Sequence, residues 1–381
     1  MTDSAGRAFE KADALTARWA ATLGDGGTVL SGAGAYVLLG LLGPFAGGAA
    51  RDELLAVAPE PLDFPDSPAA RLAAAVWSRA EVPLREAFEA AVPPQRRGRL
   101  TGDPAVDRPV LDSWAAEWTG GLIPAFPLAV GPDTLVMLAS ALSVRTEWAH
   151  PFTDGLSAPA DGPWAGRHLA GLRRTDRGPG ALERLRVAGT AAGPLTLFTV
   201  DGAEDVDVVL ALGGPGEPAS AVLPAAIGAL RGAPALPLED GPGVRVEEFQ
   251  AAQDAPECRV STVRFRVEGS HDLLAHADVF GLAAASDPDV GHFPGVSPVD
   301  LAVSGARQDA VAEFTAQGFR AAAVTAVAMA LAAAAPPMRT FRQRRVYADF
   351  DRPFGFLAVH RPTGLVLVAG WVSEPAPYQE P

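Results

Sequence analysis

Gly318-Phe319-Arg320-Ala321-Ala322-Ala323-Val324-Thr325-Ala326-Val327-Ala328-Met329 is the stretch on which the fold turns. Alanine has the highest helix propensity, so a buried alanine-rich helix is one reading of it. Read as a strand, the same run sorts by alternation. Phe319, Ala321, Ala323, Thr325, Val327 and Met329 fall on one face and Arg320 on the other. Small side chains of this kind let a strand slide between two neighbours without steric conflict. On periodicity alone the two readings stand level.

Working outward, Val311-Ala312-Glu313-Phe314-Thr315 alternates like a strand, and Gly318 interrupts it. Downstream, Pro336 and Pro337 are followed by Arg339, Arg342, Arg344 and Arg345, which read as a solvated charged connection. Strand-like runs come next at Val346 to Phe350, Phe354 to His360 and Leu365 to Val372. The last two flank Arg361-Pro362-Thr363-Gly364 and predict a hairpin. Upstream, Leu135 to Val144 is a nearly continuous apolar run that suits a central strand covered on both faces. Further strands are expected at Leu195 to Val200, Val206 to Leu212 and Val260 to Val267. Near the N-terminus, Phe9, Ala12, Leu15, Trp19 and Leu23 recur at helical spacing. Thr28-Val29-Leu30 is a short strand before an apolar helix through Tyr36 to Leu42, and Glu53-Leu54-Leu55 lies in a more polar helix. Leu111 to Thr119 places Trp114 and Trp118 four apart on one helical face. Helices early and strands late give an α+β class rather than alternating βαβ units.

The chain has 381 residues, 48% hydrophobic and 20% charged, ample apolar material for a core. Length alone suggests two or three domains, but single β-rich domains also reach this size. Its one lysine, Lys11, stands against thirty arginines among abundant Ala, Gly and Pro, a bias that reads as a GC-rich genome. A net charge of −14 argues against nucleic acid, which needs a concentrated basic surface. A single cysteine, Cys258, can form no internal disulfide, and no signal sequence is visible, so a cytoplasmic location is expected. Gly32 to Ala50 and Ala321 to Met338 are uncharged apart from their prolines' interruptions, yet Ala and Gly gain little from lipid. Neither reads as a membrane span.

Little in the chain points to catalysis. Gly32-Ala33-Gly34-Ala35-Tyr36-Val37 follows a strand and opens a helix, but the third glycine of a dinucleotide fingerprint is replaced by Val37. His150, His168, His271, His276, His292 and His360 show no metal-ligand spacing. No serine sits in a nucleophile elbow, and Cys258 reads as an inert thiol. Neither a catalytic residue, a metal nor a cofactor is expected.

Several motifs in order resemble the serpin family, in its bacterial form. Asp351-Arg352-Pro353-Phe354-Gly355-Phe356-Leu357, with His360, Thr363, Gly364 and Gly370, is similar to the serpin C-terminal signature. Gly318 to Thr325 resembles the hinge of the serpin bait loop. Glu147-Trp148 with Pro151-Phe152 closes the long apolar strand in the family's manner. Trp114, Thr119, Gly121 and Ile123 fit the preceding helix, while Leu30-Ser31 and Gly48 through Glu53-Leu54 match the N-terminal region. Residues 61–100 and 151–195 match poorly.

The resemblance implies a single α+β domain over residues 1–381, with three sheets, about nine helices and an exposed reactive-centre loop at about 317–340. It implies a monomer that inhibits a serine protease by suicide. The loop is cleaved, and the hinge Gly318, Phe319, Arg320, Ala321, Ala322, Ala323, Val324 and Thr325 inserts as a strand into the main sheet. The alternative is a non-inhibitory binding protein of the same fold, whose loop is cut without trapping the protease. Counting from the hinge puts the scissile bond at Ala332-Ala333 after Leu331, suiting an elastase- or subtilisin-like protease. Counting back from Phe350 puts it near Arg342, suiting a trypsin-like one. The first is favoured. Phe319 and Arg320 stand where the family has a small hydroxyl and an acidic residue, so Phe319 is expected to overpack the sheet on entry, at about 1–3 kcal/mol. Ser31, Ser140, Trp148 and Gln308 form the sheet-opening region, with a Ser140–Gln308 hydrogen bond locking the strands.

Overall fold

A computed structural model describes residues 2–119, 121, 135–251, 255–319 and 341–380. Seven α-helices lie among them: α1 (Thr2–Ala20), α2 (Gly32–Leu42), α3 (Gly48–Val57), α4 (Glu86–Ala91), α5 (Pro104–Thr119), α6 (Ala219–Arg231) and α7 (Ala277–Phe280). The apolar stripe read along α1 is the face it buries: Phe9, Ala12, Leu15 and Trp19 are all enclosed. Asp13, on that same face, accepts from the Val366 amide at 2.9 Å and from Arg231 at 2.6 Å, so a buried carboxylate pins the helix.

The largest sheet runs in the order β1 (Thr28–Leu30), β19 (Leu365–Val372), β18 (Phe354–His360), β10 (Val206–Leu212), β9 (Gly193–Val200), β8 (Leu185–Thr190) and β11 (Ala235–Leu236). Every residue of β19 is buried, as a continuous apolar run predicts for a strand covered on both faces. The β18–β19 hairpin turns on Gly364 at φ +71°, a conformation that favours glycine. The α2 glycines have a packing explanation instead of a phosphate one. A Cβ on Gly32 would stand 2.1 Å from Thr16 Oγ1, so α1 and α2 meet where only glycine fits.

A second sheet runs β12 (Val244–Ala251), β17 (Phe341–Asp349), β13 (Glu257–Val263), β7 (Leu169–Arg177) and β6 (Thr153–Ser157). Two expectations are corrected here. The Arg342, Arg344 and Arg345 cluster is no loose connection but part of β17, an interior strand. Arg342 pairs with Glu248, Arg344 with Glu239 at 2.5 Å and Arg345 with Glu257 at 3.3 Å, so its charges are neutralised across the sheet. The run Val260 to Val267 is two strands, because the chain leaves this sheet at Arg264, whose amide donates to Ala170 O at 2.8 Å. It continues as β14 (Phe265–Asp272) in another sheet, where core and solvent positions alternate.

That third sheet is in two parts. One runs β14, β15 (Arg307–Phe314), β16 (Gly318–Phe319) and β5 (Thr146–Glu147); the other runs β3 (Arg97–Leu100), β2 (Ala70–Arg79) and β4 (Val136–Val144). Strand β2 lies in the stretch that matched poorly by sequence, and it pairs antiparallel with β4 from Ala70↔Val144 to Ser78↔Val136. The apolar run of β4 is a strand, but it stands at the open edge of its half rather than in the interior. Counted as one divided sheet, the two parts make three sheets in all.

Glu257 is the most heavily paired carboxylate of the second sheet. Burial alone would raise its carboxyl, but hydrogen bonds from Arg259 and Arg345 hold it below the usual range. A lowered carboxyl stabilises fully above its unfolded value and loses that contribution as pH falls through the folded one. Stability should therefore drop from about pH 5 downward more steeply in the wild type than in Glu257→Gln, read as urea midpoints across that range. Equal slopes would deny Glu257 this role.

Candidate functional site: the divided sheet and its mouth

Strands β4 and β15 face one another without pairing: among the described residues, no hydrogen bond joins them. The cleft between them is lined by Ser140, Leu142 and Val144 on one side and Gln308 to Val311 on the other, with Phe319 at one end and Gly34 at its floor. Unpaired strand edges carry unmet backbone donors and acceptors, so such a cleft is a template for an added strand.

Its mouth is closed by the chain that leads into the loop. Past β15, Thr315 to Gly318 make a tight turn in which Thr315 N donates to Gly318 O at 3.0 Å and the Thr315 hydroxyl accepts from Gly318 N at 3.3 Å. Strand β16 then pairs with β15 through Phe314↔Phe319 and with β5 through Gly318↔Glu147 and Phe319↔Thr146. A Cβ on Gly318 would lie 2.5 Å from Thr146 O, so this close approach requires glycine. Trp148 seals the turn: its amide donates to Gln317 O and its indole N–H to Thr315 O, each at 2.9 Å, with its ring 4.8 Å from Phe314. Trp148 thus packs beside the point where the cleft opens.

Phe319 corrects an expectation. Exposure was expected from Gln317 onward; Gln317 is exposed, but Gly318 is buried and Phe319 is only 2% exposed. Its ring lies 6.1 Å from Phe356, which meets Phe265 at 4.9 Å, and Phe265 stacks on Phe314 at 5.2 Å. The aromatic group that sequence reasoning took for an obstacle already has a place beneath the sheet. Its burial contributes about 1.5–3 kcal/mol instead of costing overpacking. The remaining hinge residues Arg320 to Thr325, the reactive-centre residues Leu331, Ala332 and Ala333, and the rest of the loop to Thr340 lie outside the described residues.

The polar residues at the foot of the cleft converge, but not as expected. Gln308 Nε2 donates to Ser31 O at 2.9 Å and its Oε1 accepts from Ser31 N at 2.6 Å. That two-point bond ties β15 to the start of α2, where the Ser31 hydroxyl caps the helix by accepting from Gly34 N at 3.0 Å. The expected Ser140–Gln308 bond is not made, because Ser31 occupies the Gln308 amide at both ends while Ser140 stands on the separated strand. A Cβ on Gly34 would lie 3.3 Å from each of the three polar side chains, so the glycine leaves them room to meet. Replacing Gln308 with alanine would leave the Ser31 N–H buried and unmatched, at about 1–3 kcal/mol, while the Ser31 C=O keeps the bond it accepts from Ala35 N at 3.2 Å. A urea midpoint lowered by that amount with an unchanged slope is expected; an unmoved midpoint would show the pair to be dispensable.

Sequence reasoning passed over His271, which stands directly across from Gln308 in the ladder. Its Nε2 lies 3.0 Å from Val29 O and 3.1 Å from the Thr28 hydroxyl. Burial pushes its pKa down, and its ring meets Trp19 edge-on at 5.0 Å. His271 and Gln308 together fasten the β14–β15 half to β1 and α2. The one signal for His271 was that it shares the inward parity of Phe265, Val267 and Gly269 in an alternating strand, which points to no role. Cys258 is buried and its thiol is pushed up to about 12 by that burial, well away from thiolate chemistry at neutral pH.

The third sheet is thus divided down its middle, with Gly318 and Phe319 seated at the head of the division. Comparisons with known proteins point to one family. Residues 245–375 match the model of the family described as Serpin (serine protease inhibitor). Putative serpin-Z8 of Oryza sativa subsp. japonica is 25% identical over 378 residues, covering 88% of this chain and 82% of that one. Putative serpin-Z6C of the same plant is 36% identical over 151 residues, only 36% of this chain and 35% of the relative. Human thyroxine-binding globulin, solved in complex with thyroxine, superposes with a TM-score of 0.71 at 17% identity over 98% of both chains. A serpin from the trematode Schistosoma haematobium gives 0.68 at 12% identity, over 98% of this chain and all of the other, 100%. The solved structures show the serpin fold, and residues 245–375 carry the match to the serpin family model.

Proposed function

We propose that the chain is a suicide inhibitor of a serine protease, with residues 320–340 as bait. The observation that carries this reading is the cleft between β4 and β15, headed by Gly318 and Phe319 already paired to β5. A hinge whose first two residues are in register needs only to continue in the same direction for the loop to become a strand. In that register Ala321, Ala323 and Thr325 follow Phe319 inward, and the small side chains demand no repacking. Acylation of the protease at the loop would then be followed by its transport across the sheet before deacylation.

We take Ala332-Ala333 as the scissile bond and an elastase- or subtilisin-like protease as the target. Arg342 supports this choice by its placement: it is opposite Gln250 in the β12–β17 ladder and ion-paired with Glu248, so a trypsin-like protease would have to draw it out of a sheet. Incubation with elastase-, subtilisin- and trypsin-like proteases should give a covalent complex stable in SDS with one of the first two. Cutting of the loop by every member of the panel with no such complex would instead establish the second reading, a binding protein of serpin fold. Thyroxine-binding globulin, a structural neighbour solved with thyroxine bound, is the observation behind that alternative.

A further inference from the structure

Strands β2 and β3 turn two unlike faces to the rest of the protein. Trp77 belongs to one, where it meets Trp114 of α5 at 6.4 Å. Val76 and Ser78 belong to the other. The parallel register sets Arg97 beside Val76 and Arg99 beside Ser78, so both arginines share that second face. There α4 and the turn before it leave a cavity of about 230 Å³, walled on their side by Leu84, Phe88 and Glu89. The apolar part of the wall lies deep: Phe88 is fully enclosed, Val76 is 2% exposed, and Leu84 packs against the same core.

The polar groups of this cavity are fixed in place and only partly used. Arg99 Nη1 donates to Ser78 Oγ at 2.8 Å and to the carbonyls of Arg79 and Val82, each at 3.2 Å, which fixes the guanidinium at the wall. Arg97 gives Nη1 to Glu89 at 3.1 Å. Its Nε is buried and has no hydrogen-bond partner among the described residues. Leaving a buried donor unmet costs free energy, and such a donor suits an acceptor brought by a ligand. Two arginines against one glutamate give the cavity one positive charge in excess, in a chain of net charge −14. A solvated edge of β3 would account for the two arginines, but not for the buried Nε or for the enclosed apolar wall. The cavity shares no residue with the cleft between β4 and β15, and it lies within 61–100, a stretch that matches the serpin pattern poorly.

We propose that this cavity binds a small apolar carboxylic acid, with its carboxylate on Arg97 and Arg99 and its tail against Val76, Leu84 and Phe88. A planar guanidinium meets a carboxylate through two parallel hydrogen bonds. At water's share of about 30 Å³ per group, the cavity has room for about seven or eight groups, which is a straight chain of about six carbons with its carboxylate. Glu89 competes with the ligand for Arg97 and so limits its affinity. The site does not depend on the insertion reading.

The test is calorimetric titration of the full-length protein with sodium acetate, butanoate, hexanoate and decanoate, and with 1-hexanol. Up to hexanoate each added methylene should tighten binding about fourfold, the factor that ~0.8 kcal/mol of burial gives at ~1.4 kcal/mol per decade. The gain should stop between hexanoate and decanoate, where the tail outgrows the cavity. 1-Hexanol has a similar tail and no charge, and should bind at least about tenfold more weakly than hexanoate. Arg97→Gln should weaken hexanoate to a similar degree. Glu89→Gln should tighten it, a direction that a merely structural role for this ion pair would not give. Hexanoate should raise the melting temperature of the wild type more than that of R97Q. Acetate and hexanoate binding alike would mean an exposed arginine pair and no cavity site. Hexanol binding as well as hexanoate would take the carboxylate away from Arg97 and Arg99. The proposal would equally be overturned by no saturable binding of hexanoate, by R97Q binding it as the wild type does, or by E89Q binding it no more tightly. The wild-type series decides by itself should either variant fail to fold.

Discussion

One cut between residues 320 and 340 raises the melting temperature of the wild-type protein while both pieces stay together. The size follows from the cleft. Insertion of residues 320–329 supplies partners to backbone groups on β4 and β15 that now have none from each other, on the order of ten ladder bonds at about 0.5–1.5 kcal/mol net each. The sum is about 5–15 kcal/mol. Unfolding entropy near ~2.1 cal/mol/K per residue converts this, over 381 residues, to a rise of about 6–18 °C. Burial of Ala323, Thr325 and Val327 adds to it. Calorimetry on intact and cut protein at one pH measures the difference directly. A cut protein that melts where the intact one does would leave the cleft without the use assigned to it, and would favour the binding-protein reading.

The parts of this site that sequence showed, and those it hid, divide along a physical line. Strands β18 and β19 were plain because both are continuous apolar runs separated by a turn that needs Gly364. Strand β4 was plain for its apolar run, but a run of apolar residues reports burial and not which neighbour supplies it, so the open edge was invisible. Strand β2 was hidden because Ala73, Ala74 and Ala75 give no contrast between its faces. Strand β12 went unread because Arg245, Glu247 and Glu248 look like a solvated segment until the arginines of β17 are set across from them. The polar foot of the cleft was half visible. Ser31 and Gln308 do meet, but through the Ser31 backbone, which no side-chain pattern announces. Phe319 was misjudged in a similar way: sequence gave its size and not the space left for it beside Phe356.

That space yields the sharpest remaining expectation. If Phe319 were an obstacle, a smaller residue would help insertion and enlarge the gain on cutting. In the uncut protein Phe319 is already paired to Thr146 and Phe314 and enclosed at 2% exposure, the place it would keep if the loop were inserted. Phe319→Ala should therefore remove the same buried contacts from the intact and the cut protein, at about 3–5 kcal/mol in each. Both melting temperatures should fall by about 4–6 °C and their difference should stay as in the wild type. Phe319→Thr, with a hydroxyl to satisfy in the same apolar site, should fare no better. The pair of differences decides between the two pictures. A gain on cutting that grows when Phe319 is made small would mean that the ring has to move for the loop to enter, and that the mouth seen here is not the starting point of insertion.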